Sequence, residues 1–141
     1  MTYLLDTNVC IKYLNGKSEK IRKYIESLNP EDIVLCSIVK AELFYGAMKS
    51  RYPDKNLEKQ QKFINCFVSL SFNDDSAKIY GDIRSQLEKL GTPIGPNDML
   101  IAAIAVQNGM TLVTHNTREF NRIRNLKIED WEISNRFLSI A

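Results

Sequence analysis

Short apolar runs alternate with amphipathic stretches along the whole chain. Tyr3-Leu4-Leu5 is an apolar run closed by Asp6, and it reads as a short buried strand. Asn8 to Leu14 reads as a short helix, with Thr7 or Asn8 as its cap and Asn15-Gly16 as its C-terminal signal. Ser18 caps a second helix, in which Ile21, Tyr24, Ile25 and Leu28 recur at i, i+3, i+4 and i+7 before Asn29-Pro30 ends it. Ile33-Val34-Leu35-Cys36 is a second strand, and Ser37 caps a third helix that runs to about Met48 or Ser50. A polar turn over 50–56 leads into a fourth helix, about Leu57 to Cys66. Val68 to Phe72 alternates apolar residues with serine, as an outer strand with one wetter face does.

Asp74 or Asp75 opens a long helix with Ile79, Ile83, Leu87 and Leu90 on one stripe, ending at Gly91. Pro96 suits the first turn of the next helix, and Met99 to Val106 is apolar nearly all round, the mark of a helix buried on most sides. Thr111 to Thr114 is a fourth strand, Thr117 to Phe120 one helical turn, and Leu126 to Ile128 a fifth strand. Strands alternating with helices, without repeats or linkers, predict a three-layer α/β domain with a mainly parallel sheet.

Composition narrows the function classes. With 141 residues the chain is one domain, able to bury roughly two-thirds of its unfolded surface. A formal charge of +2 is too small to argue for nucleic acid by itself. No secretory signal is visible, and no run approaches the roughly 20 apolar residues of a membrane span, so no membrane role is expected. Cys10, Cys36 and Cys66 are odd in number and lack CxxC spacing, which fits reduced thiols in a cytoplasmic protein. Scattered cysteines and a single histidine argue against a structural zinc site of the Cys/His kind.

Three carboxylates occupy unusual places. Asp6 stands where the first strand stops, either as a helix cap or at the carboxyl edge of a sheet where α/β proteins bind ligands. Glu42 shares a helix face with Ile38, Ala41 and Tyr45, where an acid either pairs with a nearby Lys or Arg or meets a cation. Asp98 falls in the first turn of the most apolar helix; the helix dipole favours it there and also keeps it ionised, as a metal ligand must be. Three acids from three elements suit a hard divalent cation, Mg²⁺ or Mn²⁺, able to activate water and neutralise a phosphoryl group. In Thr114-His115-Asn116-Thr117-Arg118-Glu119-Phe120, Asn116 either orients a metal-bound water or caps the short helix, and Glu119 is either a fourth carboxylate or a surface acid.

Asp6-Thr7-Asn8, Glu42, Gly95-Pro96-Asn97-Asp98 before Leu100-Ile101-Ala102-Ala103, the 114–120 stretch and Leu126 to Trp131, taken in order, resemble a PIN-domain ribonuclease of the VapC toxin type. The resemblance implies a PIN-like domain over 1–132, an α/β/α fold with a mainly parallel five-stranded sheet, and a tail over 133–141 of no readable role. It implies Mg²⁺- or Mn²⁺-dependent endoribonuclease activity in the toxin of a type II toxin–antitoxin pair. It further implies a VapB-type antitoxin, contact with operator DNA only through that complex, and a homodimer. By position Asp6, Glu42 and Asp98 match the three core acids. The fourth acidic position of many PIN domains falls at Asn116, an amide here, which leaves a second metal dependent on Glu119.

The expected division of labour is Asp6 and Asp98 on the metal, Glu42 on the attacking water, and Thr7, Asn8, Thr114, Asn116 and Glu119 in support. Arg118, Arg122 and Arg124 follow the site loop and are the best candidates for RNA phosphates. Histidine-pair chemistry is excluded by count, because His115 stands alone; it is expected beside the site or simply at the surface. The rival enzyme is an aspartyl-phosphate phosphotransferase of haloacid-dehalogenase type, with Asp74-Asp75 as its later acidic pair; the rival of another class is a non-catalytic partner-binding module.

Overall fold

The structure, a computed structural model, describes residues 2–133. Five strands, β1 (Tyr3–Leu5), β2 (Ile33–Cys36), β3 (Val68–Leu70), β4 (Thr111–Val113) and β5 (Lys127–Glu129), form one sheet in the order β3-β2-β1-β4-β5. All four pairings are parallel, so the sheet is wholly and not just mainly parallel. The helices are α1 (Thr7–Leu14), α2 (Glu19–Ser27), α3 (Ser37–Met48), α4 (Pro53–Ile64), α5 (Asp74–Lys89), α6 (Pro96–Gln107) and α7 (Thr117–Phe120).

Strand order places the site. The chain steps from β1 outward to β2 and β3, then returns across β1 to β4 and β5. Right-handed crossovers therefore put α1 to α4 on one face and α5 to α7 on the other. The direction reverses between β1 and β4, the point where such sheets open a ligand crevice at their carboxyl edge. Register aligns that edge: Leu5 pairs with Val113, and the Asp6 N–H donates to the Val113 carbonyl at 2.9 Å. Asp6 and Thr114 thus leave the sheet side by side.

β1 and β2 are buried from Leu4 and Ile33 onward, against Ile101–Ala105 of α6 on one side and Val9, Ile21 and Tyr24 on the other. Full burial on both faces is why these strands read as continuous apolar runs. Trp131, 1% exposed, closes the core after β5. Its ring stacks on Tyr24 at 4.7 Å and meets Tyr3 edge-on at 5.3 Å. No described helix is long and apolar enough to cross a membrane.

Several expected boundaries shift for physical reasons. Asp6, not Thr7 or Asn8, caps α1, accepting from the Thr7 N–H at 2.8 Å. Cys36 occupies the cap position of α3, so Ser37 is already helical. α4 starts at Pro53, whose fixed φ suits a first turn, four residues before the apolar pattern begins. α5 opens at Asp74 as expected, capped by Asn73, but Leu90, expected on its buried stripe, is 65% exposed beyond the helix end. β3 ends at Leu70, short of Phe72, and β5 sits one residue later than its apolar centre suggests. Most of the tail over 133–141 lies outside the described residues.

Candidate active site

Asp6 is 6% exposed at the tip of β1. Its Oδ1 takes the Thr7 N–H at 2.8 Å, and its Oδ2 takes the hydroxyl of the fully buried Thr114 at 2.8 Å. Thr114 Oγ1 in turn accepts the Asn116 N–H at 3.0 Å, which ties the loop after β4 to the acid. Burial pushes the Asp6 carboxyl up; the bonds from Thr114 and Thr7 pull it back, and the nearby Glu42 charge adds to the rise. The same burial, with the Asp6 charge beside it, keeps the Cys10 thiol protonated.

Glu42 reaches the pocket from α3. The Thr7 hydroxyl donates to its Oε1 at 2.5 Å, and the Asn97 side-chain amide approaches its Oε2 at 3.5 Å. The face that carries it is not a core stripe, as the apolar pattern suggested. Val39, Leu43 and Ala47 make the buried face of α3, while Ala41 and Tyr45, on the Glu42 side, are exposed. Glu42 therefore borders open solvent, half-buried rather than sealed in.

Asp98 lies in the first turn of α6, where Gly95 is the cap residue but offers no side chain. Burial and the charges of Asp6, Glu42 and Glu119 push its carboxyl up to about 6. That set of neighbours shows the four acids sharing one electrostatic site. Glu119, on α7, is held by the Asn116 side-chain amide, which donates to its Oε2 at 3.0 Å. Asn116 thus orients the fourth carboxylate as well as standing at the cap position of α7.

Hydroxyls and amides fix the acids without neutralising them. Among the described residues, none of Asp6, Glu42, Asp98 or Glu119 pairs with Lys or Arg. Crowded carboxylates with no cation of their own are the donor set of a hard divalent ion. Asp6 and Asp98 would hold it, with Glu42 and Glu119 around it.

The remaining sequence candidates are spread out. Asn8 is exposed on α1. Arg118 and Arg124 are exposed, and Arg122 points a guanidinium N–H at the Pro93 carbonyl, 3.5 Å away. His115 turns from the pocket toward Asp130, with Nδ1 to Oδ2 at 2.9 Å. Asp74 and Asp75 are exposed in the first turn of α5, beyond β3 and two strands from β1, so the phosphotransferase reading loses its second acidic pair. Asn97 was not singled out in the sequence; its only local sign is that it precedes Asp98 in the same first turn.

Comparison with known proteins agrees with this geometry. Residues 3–126 match the PIN domain family. The tRNA(fMet)-specific endonuclease VapC of Salmonella typhimurium is 41% identical over 131 residues, covering 93% of this chain and 98% of the relative. Ribonuclease VapC2 of Rickettsia felis is 39% identical over 133 residues, covering 94% and 99%. Among solved structures, DNA-bound VapBC from Salmonella typhimurium superposes with a TM-score of 0.88 at 41% identity, over 93% of this chain and 98% of that one. VapBC2 from Rickettsia felis, bound to a DNA fragment of its promoter, gives 0.86 at 39% identity, over 93% and 99%. With this coverage and this structural likeness, the chain belongs to the PIN-domain family, in its VapC ribonuclease branch.

Proposed function

We propose that this chain is the toxin of a type II toxin–antitoxin pair and acts as a Mg²⁺- or Mn²⁺-dependent endoribonuclease. The observation that carries the reading is the set of four carboxylates at the β1/β4 switch point, oriented by neutral donors and left without a protein cation.

A bound divalent ion would supply positive charge at the scissile phosphate and lower the pKa of an attacking water. The chain's own groups do the rest. Thr114 and the Thr7 N–H hold Asp6 in one orientation and favour its ionised form. Glu42, fixed by Thr7 and partly open to solvent, aligns the water and takes its proton. Attack by water leaves a 5′-phosphate and a 3′-hydroxyl. Arg118, on α7, and Arg122 and Arg124, in the turn after it, would meet RNA phosphates.

The named activity of the Salmonella relative makes initiator tRNA the first substrate to try. Solved VapBC complexes support a VapB-type antitoxin as partner, and the promoter DNA in one of them supports operator contact through the complex. Tyr45 and Met48, 67% and 61% exposed on the solvent side of α3, offer apolar surface for such a partner. A homodimer and a cytoplasmic location complete the proposal.

The test is cleavage of initiator tRNA and total RNA by the purified, antitoxin-free chain with Mg²⁺ or Mn²⁺, against EDTA and Asp6→Asn. Discrete fragments requiring both metal and Asp6 are expected. Fragments that persist in Asp6→Asn would overturn the assignment, and no cleavage by a folded chain under either metal would favour a partner-binding module.

A further inference from the structure

Further along the sheet edge from the pocket, a second set of donors converges on a point that the nuclease reading does not use. His115 follows β4, Asp130 and Glu132 follow β5, and Lys12 comes from α1. His115 Nδ1 is 2.9 Å from Asp130 Oδ2 and 3.4 Å from Glu132 Oε2, and one ligand atom from each of the three residues falls within 4.8 Å of the others.

The other oxygen of each carboxylate is already committed. Asp130 Oδ1 accepts the Glu132 N–H at 2.9 Å, and Glu132 Oε1 accepts from Lys12 Nζ at 2.5 Å. The second oxygens turn to His115: Asp130 Oδ2 meets its Nδ1, and Glu132 Oε2 lies 3.4 Å from the same nitrogen. Glu132 Oε2 is fully buried and has no hydrogen-bond donor, while the Asp130 side chain is only 7% exposed. A buried carboxylate oxygen without a donor is costly and calls for a missing water or ion. One oxygen of each carboxylate held within the protein, and the other turned to a shared imidazole, is a pattern by which proteins aim carboxylates at a metal.

We propose that His115, Asp130 and Glu132 form a site for a borderline first-row divalent ion of the Zn²⁺ class. The two separations from Nδ1, 2.9 and 3.4 Å, suit such an ion, whose ligands, about 2.0–2.2 Å away, stand roughly 3–3.5 Å from one another. One imidazole among the donors selects Zn²⁺-like ions over Mg²⁺, which prefers oxygen and water. Two carboxylates against one lysine leave a net negative charge to receive the cation, and His115, 56% exposed, leaves the ion a way in. Coordination through Nδ1 needs the tautomer with its proton on Nε2. The occupied site would pin the loop that carries Thr114 and Asn116 to the segment after β5. Cys/His spacing cannot reveal a site of one imidazole and two carboxylates, which is why the sequence reads as free of zinc.

The proposal is tested independently of the nuclease pocket, in tag-free Asp98→Asn, Cys66→Ser protein, where Zn²⁺ competition against a chromogenic chelator gives affinity and stoichiometry. Because His115 is the single histidine, its imidazole NMR signals report the site directly. One equivalent of Zn²⁺ should bind, shift those signals where Mg²⁺ does not, and raise the thermal midpoint. His115→Ala should weaken binding at least tenfold in protein that still melts cooperatively, and Glu132→Gln should also weaken it. Zn²⁺ binding that His115→Ala leaves unchanged, or His115 signals that Zn²⁺ does not move, would overturn the site and show instead a histidine–carboxylate ion pair.

Discussion

The pocket around Asp6 and the cluster around Asp130 stand on the same sheet edge, two strands apart, and both gather carboxylates from more than one element or turn. They differ in what holds the acids. In the pocket Thr7, Thr114, Asn97 and Asn116 donate hydrogen bonds but carry no charge, so burial, with the repulsion among Asp6, Glu42, Asp98 and Glu119, lifts Asp98 to about 6. In the cluster Lys12 supplies a charge and His115 a ring nitrogen, so the two acids already have partners within the protein. Neutral scaffolding keeps carboxylates ionisable and available to an outside cation; charged scaffolding makes them structural as well.

Breaking the pocket should give the largest effect. Asp6→Asn or Asp98→Asn should lower cleavage at least about 100-fold, or roughly 2.7 kcal/mol of barrier, in a tRNA cleavage assay. The contrast with ordinary damage is the sign of the stability change. An Asp98 carboxyl near 3.8 when unfolded and about 6 when folded binds its proton more tightly in the native chain. Metal-free stability therefore falls as pH rises from 3.8 to about 6, and the loss is complete above that range. Asp98→Asn should accordingly raise the metal-free melting temperature at pH 7 by a few degrees, about 1 kcal/mol once its partial exposure is allowed for.

Thr114→Val should come next. It strips a buried oxygen of Asp6 of its donor and the Asn116 N–H of its acceptor, and should cost about 1–3 kcal/mol in chemical denaturation. Proton competition sharpens the comparison from another side. Below pH 6 the affinity of the pocket for Mn²⁺, followed by calorimetry, should fall by about tenfold per pH unit as Asp98 takes its proton.

Lys12→Met makes the second cluster resemble the first by removing its cation. With Glu132 Oε1 then unpaired beside an oxygen already lacking a donor, a loss of about 1–2 kcal/mol in stability is expected, with RNA cleavage unchanged. The smallest effect should be that of Asn116→Asp. It sets a carboxylate against Glu119 in place of an amide donor, and should lower the metal-free midpoint by about 1 °C or more and enlarge the gain on adding Mn²⁺.

Much of the fold was legible because burial writes itself into local pattern. Strands enclosed on both faces must be apolar throughout, as Leu4-Leu5 and Ile33–Cys36 are, and α6 must be apolar nearly all round because the sheet and α5 cover it. Asp6 and Asp98 stood out for the same reason, as acids at the ends of buried elements. Glu42 was found for a less secure reason. Both Val39/Leu43/Ala47 and Ile38/Ala41/Tyr45 recur at helical spacing, and pattern alone does not tell which face meets the core and which meets solvent.

Local pattern was enough for the alternation of strands and helices, the acids at their ends, and the family those acids mark. Strand order, and with it the meeting of distant side chains, belonged to the tertiary structure. Thr114 caps an oxygen of Asp6 across 108 residues, and Lys12 reaches Glu132 across 120. Neither partner carries a local sign of the other, because a hydrogen bond or ion pair depends on where the sheet brings two loops together. Periodicity reports burial one element at a time; only the packed sheet edge decides which charges share a site and which already have their counter-ion.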